Sequence, residues 1–119
     1  MSGRRLAPRE PVKKIESFSQ FYAYYLTQHA NPVCRTLHFA GSTLVLFILA
    51  YALATQRWWA LLLVPVVGYA FAWIGHFRFE HNKPATFGHP FYSLASDWVM
   101  WWEMLIGRVP FTGTPAPRG

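Results

Sequence analysis

The stretch of sequence that decides the fold, residues 73–90, reads WIGHFRFEHNKPATFGHP. It begins inside an apolar run long enough to cross a bilayer, and three histidines, a glutamate and two basic residues follow within a few positions. An ionisable side chain in or beside hydrocarbon costs free energy, so it indicates a functional site whose partners lie elsewhere in the chain. The two remaining histidines, His29 and His38, precede the other long apolar run. We therefore expect the imidazoles to meet on one side of a membrane.

The composition is that of a small membrane protein. The chain of 119 residues is 53% hydrophobic and only 13% charged, whereas about a quarter of the residues of a soluble domain are charged. A domain of this length has too much surface to hide so many apolar side chains from water. Cys34 is the only cysteine, which excludes an intrachain disulfide and a CxxC site.

Much of the net charge of +6 lies in the N-terminal tail, and it does not indicate a nucleic-acid partner because no nucleic-acid-binding motif accompanies it. A basic segment ahead of membrane helices is expected on the cytoplasmic side, where it also meets anionic lipid headgroups. We expect residues 1–13 to form a basic flexible tail, residues 14–109 a single membrane-embedded domain, and residues 110–119 a disordered tail rich in proline and glycine.

Two apolar runs predict two transmembrane helices. The first extends from Thr36 to Ala54 and the second from Ala60 to Phe77. About twenty residues at ~1.5 Å per residue span the ~30 Å hydrocarbon core. Pro65 and Gly68 lie inside the second run, where a membrane helix tolerates them. The polar turn at 55–57 is so short that the two runs must form a tight antiparallel hairpin.

The hairpin decides where the histidines lie. His38 is nineteen residues before Arg57, at the tip, and His76 is nineteen residues after it, so both are expected at the same depth on neighbouring helices. Arg78 and Lys83 follow on that side, which is also the side of the basic N-terminus, whereas the distal loop carries only Arg57. The positive-inside rule therefore predicts that both termini are cytoplasmic.

Two shorter helices are expected beside the hairpin. The first, Ile15–His29, has apolar residues at the spacing of one helix face and Ser17 as its cap, and it is expected in the membrane interface. The second, Phe91–Gly107, is short for a crossing and carries two carboxylates, with Ser93 or Ser96 as its cap and its glycine as its end. The predicted fold class is therefore all-α: a membrane hairpin of two transmembrane helices flanked by interfacial amphipathic helices.

The histidines predict a metal site at the inner membrane surface. His76 and Glu80 lie four residues apart and share a helix face, and the break at residues 31–32 lets His29 and His38 converge. His89 follows a proline turn and can fold back over the helix end.

Three or four imidazoles with one carboxylate suit Fe(II), Zn, Mn or Cu by ligand type, and without thiolates a structural zinc site is less favoured. His81 points away and is the weakest of the five histidines as a ligand. The plainer interpretation is that each histidine is a polar anchor with a satisfied hydrogen bond.

Several charged residues near the histidines have more than one interpretation. Glu80 either supports the metal site or forms an ion pair with a neighbouring cation. Asp97 is either a helix cap or an acceptor that orients an imidazole. Arg35, at the level of His38, can bind a lipid headgroup or a substrate carboxylate, and Lys83 is the other candidate for that carboxylate.

Two blocks of sequence carry a resemblance to a known family. Residues 28–32 read QHANP and are followed by Arg35, His38 and Gly41, while residues 73–76 read WIGH and are followed by FE at 79–80 and KPA at 83–85. In this order and spacing they resemble the small membrane family of 2-hydroxy-fatty-acid dioxygenases, over residues 16–109. The FGHP segment at 87–90 resembles the short bacterial-type branch. The eukaryotic type is longer and has more membrane crossings.

The resemblance implies an Fe(II)-dependent α-oxidation, in which a 2-hydroxy fatty acid reacts with O₂ and is shortened by one carbon. By position it assigns the iron to His29, His38 and His76, with Glu80 beside them and His89 in the bacterial-type segment. The expected partners are thus a lipid-derived acid, O₂ and the membrane, and the expected location is the bacterial inner membrane.

A non-catalytic function is the alternative. In that case the histidines and Glu80 form a hydrogen-bonded belt that assembles a homo-oligomer or recognises a lipid headgroup, with no metal and no O₂ uptake. A bis-histidine haem site is a more distant third interpretation, because it needs two facing imidazoles and does not require the additional histidines.

Overall fold

The computed structural model describes residues 15–84 and 88–118, and within them the regular structure is helical, with no strand. The elements in chain order are α1 (Phe18–Thr27), α2 (Pro32–Thr55), a 3-10 helix (Trp58–Leu62), α3 (Leu63–Ile74), a π-helix (Gly75–Glu80) and α4 (Pro90–Leu105). The expected tail at 1–13 and the first residue of the FGHP segment lie outside the described residues.

α2 and the continuous helix from Trp58 to Glu80 form the hairpin. With 24 and 23 residues, both are long and apolar enough to cross a membrane, which confirms the predicted fold class. Only 22% and 17% of their most apolar segments are buried, whereas a core helix of a soluble protein is mostly buried. Phe47, Leu53 and Leu62 are 68%, 66% and 75% exposed. The outer surface of the hairpin is thus suited to lipid.

Two glycines let the hairpin helices approach closely. A Cβ atom at Gly41 would lie 2.8 Å from the Cβ of Phe71, and one at Gly75 would lie 2.9 Å from the Sγ of Cys34. Larger residues would push the helices apart at both points, and small residues are common at such contacts between membrane helices. The second contact lies one residue before His76, so it sets how closely that imidazole approaches α2.

The caps and the turn between elements follow local sequence. Ser17 caps α1, as predicted, by accepting a hydrogen bond from a main-chain N–H of the first turn. Asn31 caps α2 in the same way, and Pro32 occupies the first turn, where its missing N–H is not needed. At the tip of the hairpin, Gln56 adopts the left-handed conformation with a φ of 55°.

α4 begins earlier than predicted. Ser93 and Ser96 are buried inside the helix, so the prediction that one of them caps it is wrong. The helix begins at Pro90, because the fixed φ of proline suits a first turn. Its end is as predicted: Gly107 has a φ of 83°, and its N–H and the next one donate to carbonyls of the last turn.

α1 packs against α4 at the end of the hairpin where the histidines lie. Residues of both helices form one core cluster together with Val109, which lies beyond the end of α4. The cluster consists of Phe21, Tyr22, Tyr25, Leu26, Met100, Met104 and Val109. The buried residues of α1 belong to its predicted apolar face. The 16 residues of α4 measure about 24 Å, which is less than the hydrocarbon core of a bilayer.

Residues 110–118 follow as an irregular segment that folds back on the helices. Arg35 donates to the carbonyl oxygens of Pro110 and Gly113, and Arg118 lies 2.8 Å from the carboxylate of Glu103. This differs from the disorder that the proline and glycine content suggested. The cause is long-range, since a buried guanidinium from α2 supplies donors to the carbonyls of this segment.

Candidate metal centre

Three buried imidazoles converge at the inner end of the hairpin, where α1 ends, α2 begins and the second hairpin helix ends. His29 follows α1, His38 lies in the second turn of α2 and His76 lies in the π-helix, and none is more than 8% exposed. Their ring centroids are 4.5, 4.5 and 5.1 Å apart, and the ring planes cross at 80°, 77° and 83°. The structure thus brings together the three histidines named from the sequence, as mutually perpendicular rings around one point.

Hydrogen bonds fix the orientation of two of these rings. His29 Nδ1 lies 2.7 Å from the carbonyl oxygen of Tyr25, which only accepts, so this nitrogen carries the proton. His76 Nδ1 lies 2.7 Å from Oδ1 of Asn82, whose amide NH₂ donates to two oxygens of Gln28. In both rings Nε2 is therefore left with a lone pair, the form in which imidazole binds a metal.

The third ring is oriented by a carboxylate from α4. His38 Nδ1 lies 3.6 Å from Asp97 Oδ1, and the same oxygen accepts a hydrogen bond from the hydroxyl of Tyr25. Asp97 is thus an acceptor beside an imidazole in the middle of a helix, and it is not a cap. Burial raises the pKa of Asp97 to about 7, and the hydrogen bond from Tyr25 opposes this shift.

The contact between His29 and His38 fits a bound cation. Their Nε2 atoms lie 3.2 Å apart, whereas two nitrogens about 2.1 Å from one ion are about 3.0 Å apart in octahedral and about 3.4 Å apart in tetrahedral geometry. Two unprotonated nitrogens would repel each other at this distance, so either His38 Nε2 carries a proton and donates it to His29 Nε2, or one ion is bound to both nitrogens. Burial and the neighbouring imidazoles lower the pKa of His29 well below its usual value, which keeps this ring in the neutral, metal-binding form.

Cys34 is a fourth candidate ligand. The ligand atoms of His29, Cys34, His38 and His76 all lie within 4.8 Å of one another, and the thiol is buried. Cys34 was not among the ligands expected from the sequence. A signal was present in the sequence, because Cys34 precedes His38 by four residues and shares a face of α2 with it.

The π-helix sets the relation between His76 and Asn82. It ends at His81, which has a left-handed φ of 60°, and the N–H of Asn82 then donates to the carbonyl of His76 at 3.0 Å. This turn brings the Asn82 side chain back to the imidazole six residues earlier. Single π-helical turns are frequent at functional sites.

Glu80 contacts the main chain and lies outside the group of four candidate ligands among the described residues. Its carboxylate accepts a hydrogen bond from the N–H of Asn31, and the Asn31 side chain donates to the carbonyl of Phe79 at 3.1 Å. These bonds tie the end of the π-helix to the start of α2. Glu80 thereby positions the loop that carries His29.

Arg35 is also bonded to the main chain. The buried guanidinium donates to the carbonyls of His29 and Ala30 at 2.9 Å, of Pro110 at 3.1 Å and of Gly113 at 2.6 Å. Four of its five N–H donors are thus in use. Arg35 links the loop of His29 to the C-terminal segment, which differs from the headgroup or substrate contact suggested by the sequence.

The other residues named from the sequence lie outside the imidazole cluster. Lys83 is exposed and directly precedes Pro84, which lines a cavity next to the imidazoles. His89 is exposed, with its ring 5.2 Å from that of Phe21, and the structure does not bring it to the three imidazoles. His81, the weakest candidate, is exposed as well.

This cavity has a volume of about 420 Å³. Tyr25, His38, His76 and Asp97 line its polar end, and mostly apolar residues of α2, α3 and α4 line the remainder. Two of the three imidazoles, those of His38 and His76, thus line the cavity. The candidate metal centre lies at the polar end of an otherwise largely apolar cavity.

Comparison with known proteins identifies the family of the chain. The family model described as 2-hydroxy-palmitic acid dioxygenase Mpo1-like matches residues 15–109. Neither a curated protein nor a solved structure matches the chain significantly. The matched range includes the three imidazoles and their partners Tyr25, Asn82 and Asp97. Because the match covers most of the sequence, the chain belongs to the 2-hydroxy-palmitic acid dioxygenase Mpo1-like family.

Proposed function

We propose that the protein is an Fe(II)-dependent dioxygenase that shortens 2-hydroxy fatty acids by one carbon at the membrane. The observation that carries this proposal is the buried cluster of three imidazoles at the polar end of an apolar cavity. The family name supports a 2-hydroxy fatty acid as the substrate and O₂ as the oxidant.

Iron is the metal that this reaction favours. Imidazole nitrogens suit iron, zinc and copper alike, but zinc has no redox chemistry. Bound Fe(II) would supply the redox chemistry that allows O₂ to react with the substrate. His29, His38 and His76 would hold it, and Cys34 is close enough to be a further ligand. With these residues as its ligands, the iron would lie beside the cavity that His38 and His76 line.

Residues at the polar end of the cavity would receive the oxygen atoms of the substrate. The Asp97 carboxylate, which already accepts a hydrogen bond from Tyr25, can accept another from a substrate hydroxyl. Of the two cations suggested for the substrate carboxylate, Arg35 has four carbonyl partners. Lys83, beside the cavity residue Pro84, is therefore the one that we assign to it.

The balanced reaction converts R–CH(OH)–COOH and O₂ into R–COOH, CO₂ and H₂O. The bond between the carboxyl carbon and the hydroxyl-bearing carbon breaks, and the electrons lost by these two carbons reduce O₂ completely. No further reductant is required.

We also propose that the protein lies in the bacterial inner membrane with both termini cytoplasmic. α1 and the C-terminal segment lie at the same end of the hairpin, which supports termini on one side. Arg78 and Lys83 follow the second span at that end, while Arg57 is the one basic residue of the distal loop. Loops on the cytoplasmic side of a membrane carry an excess of lysine and arginine, so this charge distribution supports a cytoplasmic location for the inner end.

The test is O₂ consumption by the purified protein. Protein in mild detergent is loaded with Fe(II) in the absence of air and mixed with 2-hydroxy-palmitic acid, and O₂ uptake and the shortened acid are measured. We expect equal amounts of O₂ consumed and acid formed, and loss of both in His76→Ala. His81→Asn, in which an exposed histidine outside the cluster is replaced by a residue that tolerates its left-handed conformation, is the matched control and should retain the full rate.

The alternative, a non-catalytic histidine belt that assembles a homo-oligomer or binds a lipid headgroup, predicts the opposite results. The protein would bind no iron and consume no O₂, and His76→Ala would change only assembly or headgroup binding. Full turnover by His76→Ala, or a wild-type protein that binds no iron, would overturn the enzymatic proposal.

A further inference from the structure

The cavity beside the imidazoles is a groove enclosed by three helices. α3 contributes Val64, Gly68 and Ala72, spaced by four residues along one face, and α2 contributes Ser42 and Val45. The first half of α4 forms the third wall. Most of the polar groups gather at the imidazole end, so the groove is polar at one end and largely apolar along its length.

The groove is long enough for an acyl chain. Between His76 and Val64 it follows the helix over twelve residues, which is about 18 Å at ~1.5 Å per residue. The acyl chains of one leaflet occupy half of the ~30 Å hydrocarbon core, which is ~15 Å. The length of the groove therefore matches that of a single extended acyl chain.

The groove opens sideways between α3 and α4. Tyr69 and Trp73 on α3 and Phe91 and Leu94 on α4 line it, and they are between 43% and 85% exposed. Their exposed surface continues the apolar outer surface of the hairpin. An acyl chain can thus enter from the bilayer without bringing its methylene groups into water.

Gly68 leaves free space about two thirds of the way along the groove from His76 to Val64. A Cβ atom there would meet only Cγ2 of Val45, at 4.0 Å, so a side chain at this position has room and would extend into the groove. At Gly41, by contrast, an added Cβ would clash with the neighbouring helix. Glycine at position 68 is therefore not needed for helix packing. It lies eight residues from His76, which is about 12 Å along the helix.

We propose that this groove binds the acyl chain of one fatty acid lengthwise, with its carboxyl end at the imidazoles and its methyl end near Val64. The space beside Gly68 then lets the chain pass on to Val64, so a side chain at position 68 would shorten the longest chain that the protein accepts. The identity of the headgroup rests on the proposed function, whereas the acyl-chain site can be measured without iron and without O₂.

The test is equilibrium dialysis of 2-hydroxy fatty acids of increasing length against the iron-free protein in amphipol, under anaerobic conditions. For the wild-type protein, affinity for the free aqueous acid should rise about fourfold per methylene, because each buried CH₂ contributes about 0.8 kcal/mol. The rise should stop where the chain reaches the end of the groove. In Gly68→Leu it should stop several methylenes earlier, while short acids bind as they do to the wild type.

Ala70→Leu is the matched control, because Ala70 is exposed on the same helix and lies outside the groove. It should keep the wild-type length profile. Val45→Phe is the second variant: it fills the same point from α2 and should give the same early stop even if Gly68→Leu does not fold.

A Gly68→Leu profile equal to that of the wild type, or weakened equally at all lengths, would overturn the groove proposal. So would a co-purified bilayer lipid that no fatty acid displaces. The two proposals fail separately: length-limited binding without turnover would remove the dioxygenase and leave the groove. Turnover with an unchanged chain-length profile in both variants would remove the groove and leave the dioxygenase.

Discussion

The two ends of the hairpin are stabilised by different forces. At the distal end, apolar side chains face outward, and Arg57 donates to the hydroxyl of Tyr51 on the exposed surface. At the inner end, imidazoles and Arg35 are buried, and His29, His76 and Arg35 have hydrogen-bonding partners within the protein. The same pair of helices thus passes from a lipid-facing surface to a polar interior.

This difference predicts where the chain tolerates change. Apolar burial is non-directional, so the distal end requires side chains that are apolar but not of one particular shape. Hydrogen bonds and metal bonds require particular distances and angles, so the inner end requires particular residues. Substitutions at the inner end should therefore lower iron affinity or the free energy of unfolding far more than matched substitutions at the distal end.

The largest effect is expected for His38→Ala, which removes one of the three imidazoles. Iron affinity should fall by more than about 100-fold, because loss of a residue that merely supports a ligand already costs about 10–100-fold. The measurement is iron per protein after dialysis, with circular dichroism to verify the fold. Leu53→Ala at the distal end should keep its iron. Stoichiometric iron in His38→Ala would contradict the proposed difference between the inner and distal ends.

A smaller effect is expected for Arg35→Lys. Lysine keeps the charge but cannot match the fork of guanidinium donors, so several carbonyls lose their partner, and the free energy of unfolding should fall by about 2–4 kcal/mol. Arg57→Lys, at the exposed distal loop, should change it by less than about 0.5 kcal/mol. Chemical unfolding in detergent measures both, and equal losses would show that the inner end is not specially stabilised.

Asn82→Ala tests the hydrogen bond that orients His76. Its loss should weaken iron binding by about 10–100-fold without abolishing it, because the imidazole remains but is no longer held in position. The neighbouring His81→Asn, which suits the left-handed backbone at this position, should bind iron like the wild type. Titration of both variants with Fe(II) under anaerobic conditions provides the measurement, and identical affinities would refute the role of Asn82.

The smallest effect is expected for Phe47→Ala, on the surface of the hairpin. This side chain is 68% exposed, and lipid tails are as apolar as the side chain that they replace. The free energy of unfolding in lipid nanodiscs should change by less than about 0.5 kcal/mol. A loss of several kcal/mol would mean that Phe47 packs against protein, and the lipid-facing interpretation of the distal end would then fail.

The two long helices, two helix boundaries and the meeting of His38 with His76 were predictable from sequence, whereas other contacts at the inner end were not. Hydropathy alone predicts the two long helices, and local signals predict Ser17 as a cap and Gly107 as a helix end. The equal spacing of His38 and His76 from the tip also predicts that they meet. These inferences depend only on periodicity, local turn chemistry and the short loop.

The remaining features depend on an irregular helical turn and on contacts between distant parts of the chain. Cys34 reaches the site because Gly75 lets two helices approach, and Asn82 reaches His76 through a π-helical turn that no sequence pattern indicated. The order of the C-terminal segment depends on donors of Arg35, more than seventy residues away. The four-residue spacing of Cys34 and His38 was a signal in the sequence, whereas the π-helical turn and the long-range contacts of Arg35 had none.

The central claim is that Nε2 atoms of His29, His38 and His76 bind one iron ion. X-ray absorption at the iron edge of anaerobically loaded protein measures it directly. We expect three imidazole nitrogens at the ~2.1 Å typical of metal–imidazole bonds, and two when any one of these histidines is replaced by glutamine. Stoichiometric iron surrounded by oxygen, without imidazole scattering, would contradict the claim.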